Sequence, residues 1–318
     1  MRKEAKVERT ADIATVSGYH NGDWQYSKCV VFASDRPLPA YDNYTLKKDG
    51  SLPAIYGIEW ETEGNGITSK TIYANILKQV CFQNFHPDLW KIEDDATLGQ
   101  GHLARNRIMD VGAECISQPM TKAYIRNNYR NFKVAYEYFK SFGIDCAKSG
   151  NCGQHVHISL TCFGRTKATQ DESIRKLYYI VNRHYDLICA LLYRRADTTR
   201  WCGRMDFDRA WTMKLDRMDG SHSNGFNGSH YTEGNIELRI PGGQKDYPCF
   251  RNTMESIFHL IEASKTISRK DCDDVVKIFS GCNQHVFDRL RSYCYERGTI
   301  TVEQLNAIHE TIKPVDFR

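Results

Sequence analysis

The sequence predicts an α+β fold with a mainly antiparallel sheet, on three observations. Strand-like segments are separated by helical ones along the chain. The strands alternate apolar and polar residues instead of running solidly apolar, which marks a sheet with one packed face and one wet face. At 318 residues, 41% of them hydrophobic, the chain also carries enough apolar side chains for a sizeable core.

Residues 1–53 are polar with short apolar pieces and end in the turn-rich LKKDGSLP, so they read as an N-terminal extension or small β-subregion. Residues 54–318 read as the main domain. It opens with a strand, AIYGIEWE, at 54–61 and a helix over 70–82. KIEDDATL, at 91–98, reads as a short strand and turn. DVGAECIS, at 110–117, is a strand stopped by Pro119. Ile125, Tyr129, Phe132, Tyr136 and Phe139 step by four and three, which predicts a helix over 122–142 ended by Gly143. A strand over 152–162 follows. The next helix, 171–195, starts at Asp171 and carries Leu177, Val181, Ile188 and Leu192. DGSHSNGFNGSH, at 219–230, has the composition of a mobile lid or substrate loop. The strand NIELRIPGG, at 235–243, and three helical segments in 247–312 complete the chain.

With 43 basic against 39 acidic residues, the charge balance is too even to call for a nucleic-acid or membrane partner. There is no apolar run near the roughly 18 residues a membrane span needs. The start, MRKEAKVERT, lacks the apolar centre of an export signal, so a cytoplasmic protein is expected. The twelve cysteines are scattered without a CxxC pair and are expected to be free thiols.

Side chains of a strand alternate between its faces. Ile58 and Trp60 therefore oppose Glu59 and Glu61. Val156, Ile158 and Leu160 oppose His155, His157 and Ser159, and Ile236, Leu238 and Ile240 oppose Glu237 and Arg239. Glu114 belongs to a fourth such strand. Taken singly, each is an ordinary solvated face. Together they gather glutamates and histidines, and like charges on one concave face call for a cation. Carboxylates with one imidazole suit Mg²⁺ or Mn²⁺. Cys152, His155 and His157 also give a C-x₂-H-x-H spacing, but no second Cys/His pair stands where zinc would need it. GxxxxGK[ST], HExxH and GxSxG are all absent, and the GxGxxA at 99–104 lacks a strand–turn–helix setting.

The order of Glu59-x-Glu61, the GxHxHxS of 153–159 and the ExR of 237–239 resembles the glutamine synthetase / glutamate–cysteine ligase superfamily of carboxylate–amine ligases. The closer resemblance is to its amidoligase (COOH–NH2 ligase) family. GIEWE at 57–61, the acidic turn Glu93-Asp94-Asp95-Ala96, the ECISQP of 114–119, GQHVH and ELR follow that family's order over roughly residues 54–245. Gln118 is inserted in the E-x-x-S-P element, and Ala96 stands where the family often has serine. The resemblance implies a glutamine synthetase-like catalytic domain, a curved sheet with helices packed on its outer face. It implies ATP-dependent joining of a small-molecule or peptide carboxylate to an amine, with ATP and Mg²⁺ or Mn²⁺ as cofactors. By the same resemblance Glu59, His155 and Glu237 share one ion, and Glu61 and Glu114 hold another. His157, Ser159 and Arg239 meet the nucleotide. Glu237, Arg239 and Arg200 serve the chemistry. Arg194 and Arg195 have a competing role as a basic helix end facing the helix dipole, and Arg105 and Arg107 are weaker candidates. Two other readings stay open, a carboxylate or guanidino kinase on the same fold and a non-catalytic nucleic-acid- or partner-binding protein with a relic site.

Overall fold

A ten-residue strand, β1 (Ile55–Gly64), carries the first acidic motif, and its neighbours follow in chain order. The computed structural model describes residues 54–64, 70–85, 89–93, 98, 111–147, 152–194, 202–218, 221 and 223–315. The expected N-terminal extension, the 99–104 loop, Arg105, Arg107, Arg195 and Arg200 lie outside the described residues. Two compact units emerge. One holds Gly57–Val156 with Gly243–Tyr247; the other holds His157–Gly242 and Pro248–Arg318, with the residues just before Gly57.

In the first unit β1 is followed by α1 (Lys70–Asn84), β2 (Trp90–Glu93), β3 (Val111–Ser117), β4 (Met120–Thr121), α2 (Lys122–Asn127), α3 (Tyr129–Ser141), β5 (Ile144–Asp145) and β6 (Gln154–Ser159). The strand order is β2-β3-β1-β6, with β4 and β5 also on β1. The β1–β3, β2–β3 and β1–β5 pairings are antiparallel, as expected. Tyr73, Leu77, Val80 and Cys81 repeat at helical spacing and are buried as α1 packs on α3 and β3. The apolar face of β1 ends in an aromatic cluster around Trp60. Its indole stacks on Trp90 at 4.3 Å and meets Phe132, Tyr136 and Phe139 edge-on. Such pairs add about 0.5–1.5 kcal/mol each beyond their burial.

The helix expected over 122–142 is two helices. Asn128 breaks it, because its side-chain amide donates to the Tyr124 carbonyl at 2.8 Å and its oxygen accepts from Asn131 at 3.0 Å. Local side-chain bonds of this kind compete with the helical ladder. The strand expected at the start of 91–98 is present as Trp90–Glu93, and the turn expected after it, at 94–97, lies outside the described residues.

The second unit contains α4 (Lys167–Arg183), α5 (Tyr185–Leu191), β7 (Phe226–Asn227), β8 (Asn235–Leu238), α6 (Tyr247–Thr266, which begins at the unit boundary), α7 (Val275–Phe279), α8 (Gln284–Arg289) and α9 (Val302–His309), with short 3₁₀ turns between them. The unit boundary falls inside β6, whose His157–Ser159 half is followed in the sheet by β8 and then β7. The expected 171–195 helix again divides in two. It starts earlier, at a capping box formed by Thr166 and Thr169. It breaks at His184, whose Nε2–H donates to the Cys272 carbonyl at 2.9 Å. The strand expected over 152–162 ends at Ser159, where the Ser159 hydroxyl caps a 3₁₀ turn. The strand expected over 235–243 ends at Leu238. The C-terminal segment holds four α-helices, not three.

Arg289 of α8 pins this unit. It donates to the Leu191 carbonyl at 3.3 Å and to that of Ala190, while its guanidinium carbon lies 3.4 and 3.2 Å from the ring centres of Tyr193 and Tyr293. Among the described residues no helix is long and apolar enough to cross a membrane. The eleven described cysteines are buried thiols, and burial pushes those of Cys162, Cys189 and Cys282 up to about 12.

Two half-buried histidines are expected to make this unit acid-sensitive. His259 of α6 donates to the Ile278 carbonyl at 2.9 Å, and His184 is bonded in the same way. Burial drives both below the ordinary histidine value, and the carbonyl bonds offset this only in part. The unfolded chain therefore takes up these protons near pH 6.5 and the folded chain only at lower pH. Between those values the unfolded state binds more protons, so stability rises with pH. The contribution is complete above the unfolded value and is lost as pH falls from there through the lower folded value. Urea unfolding midpoints should drop from pH 7.5 to pH 5.5, and a His184→Gln/His259→Gln variant should show a flatter slope. An unchanged slope in that variant would exclude these two residues as the cause.

Candidate functional site

The polar face of β1 meets β6 at a glycine. The Glu61 N–H donates to the Gly153 carbonyl at 3.2 Å, and the Gly153 N–H donates back to Oε2 of the Glu61 side chain. The other Glu61 oxygen faces His155 Nε2 at 3.3 Å, and Glu59 Oε2 faces His155 Nδ1 at 3.2 Å. The imidazole is thus held edge to edge between two carboxylates, 3% exposed. The β1–β3 register sets Glu61 directly opposite Glu114, and the β2–β3 register sets Glu93 opposite Glu114 in turn. The serine of the E-x-x-S element works structurally, since the Ser117 hydroxyl accepts from the Ile58 N–H at 2.8 Å.

Glu59, Glu114 and His155 each offer one ligand atom, and those atoms all lie within 4.8 Å of one another. Two carboxylates and one imidazole at that spacing fit a divalent cation with hard-ligand preference, Mg²⁺ or Mn²⁺. A neutral imidazole donates from one nitrogen and keeps a lone pair on the other. Either carboxylate, Glu59 at Nδ1 or Glu61 at Nε2, can accept the single N–H of the neutral imidazole and so fix its tautomer. An acidic partner that fixes the tautomer is the usual companion of a ligating histidine.

In the second unit His157 Nδ1 lies 3.4 Å from the Asn235 side-chain oxygen, and its ring centre lies 5.9 Å from that of His230. His230 Nδ1 is bonded to Glu233 at 2.8 Å. Glu237 Oε1 accepts from Arg239 Nη1 at 2.7 Å, and Oε2 accepts from the Asn227 amide at 2.8 Å. Ser159, expected at the nucleotide, has its hydroxyl within 2.7 Å of Thr161.

Two sequence expectations change here. Arg194 does not face the end of its helix, which stops at Leu191. Its guanidinium donates to the carbonyls of Ile240 at 3.0 Å, Arg239 at 3.3 Å and Pro241 at 3.0 Å. It is a buried clamp on the chain leaving β8. The 219–230 segment is not wholly a lid or loop either. Phe226 and Asn227 form β7, antiparallel to β8, and Asn227 reaches Glu237. Asn227, Asn235, His230 and Glu233 were not singled out in the sequence, since Asn-Gly and Ser/His-rich composition reads as turn.

No family model matches the chain. No curated protein matches it either. Solved structures that resemble it include a GmaS–ADP complex, which matches 81% of this chain and 68% of its own at 10% identity and a TM-score of 0.42. The complex of the prokaryotic ubiquitin-like protein Pup with its ligase PafA matches 81% of this chain and 63% of its own, at 12% identity and a TM-score of 0.32. A bifunctional glutathione synthetase from Pasteurella multocida matches 81% of this chain and 46% of its own, at 11% identity and a TM-score of 0.38. The chain spans less than two thirds of the last two.

Proposed function

We propose that this chain is an ATP-dependent carboxylate–amine ligase that makes an amide or isopeptide bond through an acyl phosphate. The observation that carries the reading is the convergence of Glu59, Glu114 and His155 within 4.8 Å, on strands whose motifs run in the amidoligase order. Glu59, Glu61, Glu114, His155 and Glu237 are the proposed cation ligands. His157 and Ser159 are proposed to meet the nucleotide, and Arg239 the transferring phosphoryl group. Phosphoryl transfer needs positioning and charge neutralisation more than covalent help. The cations would supply that neutralisation at phosphate oxygens.

The protein's share is orientation. Gly153 and Glu61 hold His155, and Asn227 and Arg239 hold Glu237. Arg239, at 2.7 Å from Glu237, carries the planar guanidinium fork suited to phosphoryl oxygens. The substrate carboxylate would attack the γ-phosphorus, ADP would leave, and an amine would then displace phosphate from the acyl phosphate.

The test is ATP, Mg²⁺ and hydroxylamine with a panel of amino acids and peptides, scored for hydroxamate. Hydroxamate from one acid, absent in Glu237→Ala, is the expected result. ADP and acyl phosphate formed from an acid without amine, with no amide when amine is added, would point to a carboxylate kinase. No ATP turnover with any acid–amine pair, together with salt-sensitive nucleic-acid binding, would sink the ligase reading.

A further inference from the structure

We propose that Asn227 is a positioning residue that holds Glu237 in its cation-binding orientation, an inference that rests on the reading of Glu237 as a cation ligand. β7 is only two residues long, and its register sets Asn227 directly opposite Glu237 on β8. Side chains so paired lie on one face of the sheet. Both are buried, Asn227 1% and Glu237 3% exposed. The Asn227 amide nitrogen donates to Glu237 Oε2 at 2.8 Å. Its oxygen accepts from the Ser229 N–H at 2.9 Å. That second bond fixes the amide, since a flip would set its oxygen against the carboxylate and its NH₂ against an N–H.

Arg239 takes the other carboxylate oxygen at 2.7 Å. Glu237 is therefore held from both oxygens, and turning the carboxylate would break both bonds. The two donors differ in a useful way. A second arginine would orient Glu237 equally well but would cancel the charge a cation needs. A neutral amide orients the carboxylate and leaves its charge in place. A partner in this position typically governs metal affinity by about 10–100-fold.

The experiment is a Mn²⁺ titration of the full chain followed by electron paramagnetic resonance. Asn227→Ser keeps an oxygen to accept from Ser229 and loses reach to Glu237. Asn227→Gln keeps the amide but misaims it by one methylene, and serves if the serine variant does not fold. Glu237→Gln and the double variant complete a cycle. The expected result is a loss of about 10–100-fold in the Mn²⁺ affinity that Glu237→Gln also weakens. In the Glu237→Gln background the Asn227 change should cost less than about twofold, because it acts through Glu237. Affinity within twofold of wild type, or the same loss repeated in the Glu237→Gln background, overturns the positioning role and leaves Asn227 as a strand-pairing residue. Wild-type Mn²⁺ affinity in Glu237→Gln itself refutes Glu237 as a ligand, and the positioning role falls with it.

Discussion

Millimolar Mn²⁺ or Mg²⁺ should raise the thermal unfolding midpoint of this protein, and His155→Ala should remove that rise. A ligand that binds only the folded state stabilises it by RT ln(1 + [L]/Kd), about 2.7 kcal/mol at a hundred times the Kd. Glu59, Glu61 and Glu114 crowd one imidazole, with Glu59 and Glu61 at 3.2 and 3.3 Å from its two nitrogens. A divalent cation relieves that crowding, so the gain should appear with the cation alone, before any substrate is known. Deleting the imidazole removes a proposed ligand and the group that stands between Glu59 and Glu61. Its effect on Mn²⁺ affinity should exceed the about 10–100-fold typical of losing an outer partner. Calorimetry with and without cation, on wild type and variant, reads both effects. An equal cation-induced rise in the two proteins would show that His155 holds no ion.

Trp60→Ala should be the most destabilising single change in the first unit, by about 3–5 kcal/mol. Trp60 is fully buried and touches Trp90, Phe85, Phe132, Tyr136 and Phe139. The void left by its removal cannot be filled by rings that already pack against one another. Trp60 also lies between Glu59 and Glu61 on β1, so the same cavity loosens the strand that presents both acids. Trp60→Phe should recover most of the stability and most of the cation response. Urea unfolding at pH 7.5 is the measurement. A midpoint for Trp60→Ala close to that of wild type would mean the aromatic cluster does not hold β1.

Period-two patterning made β1, β3, β6 and β8 legible, because alternation directly records which side chains face the core. Ile58 and Trp60 are buried, as are Val156, Ile158, Ile236 and Leu238. The helix periods were legible too, but their breaks were not. Asn128 and His184 interrupt helices through bonds to particular carbonyls, and apolar spacing carries no record of those. β7 was hidden for a related reason, since two residues cannot show a period and Asn227-Gly228 looks like a turn.

By itself the sequence determined the residue types of the site and the strands that bear them. Each such strand taken singly is an ordinary solvated face, and only their gathering of carboxylates and imidazoles calls for a cation. Only the tertiary structure decided the division of labour. Glu61 is tied to Gly153 and faces His155, Arg194 is spent on backbone carbonyls, and Asn227 comes to Glu237 from a segment that reads as a loop. Alternation says which face a side chain takes. Hydrogen bonds between residues far apart in the chain, at separations from ten to ninety-two here, depend on register and backbone path, and these exist only once the chain has folded.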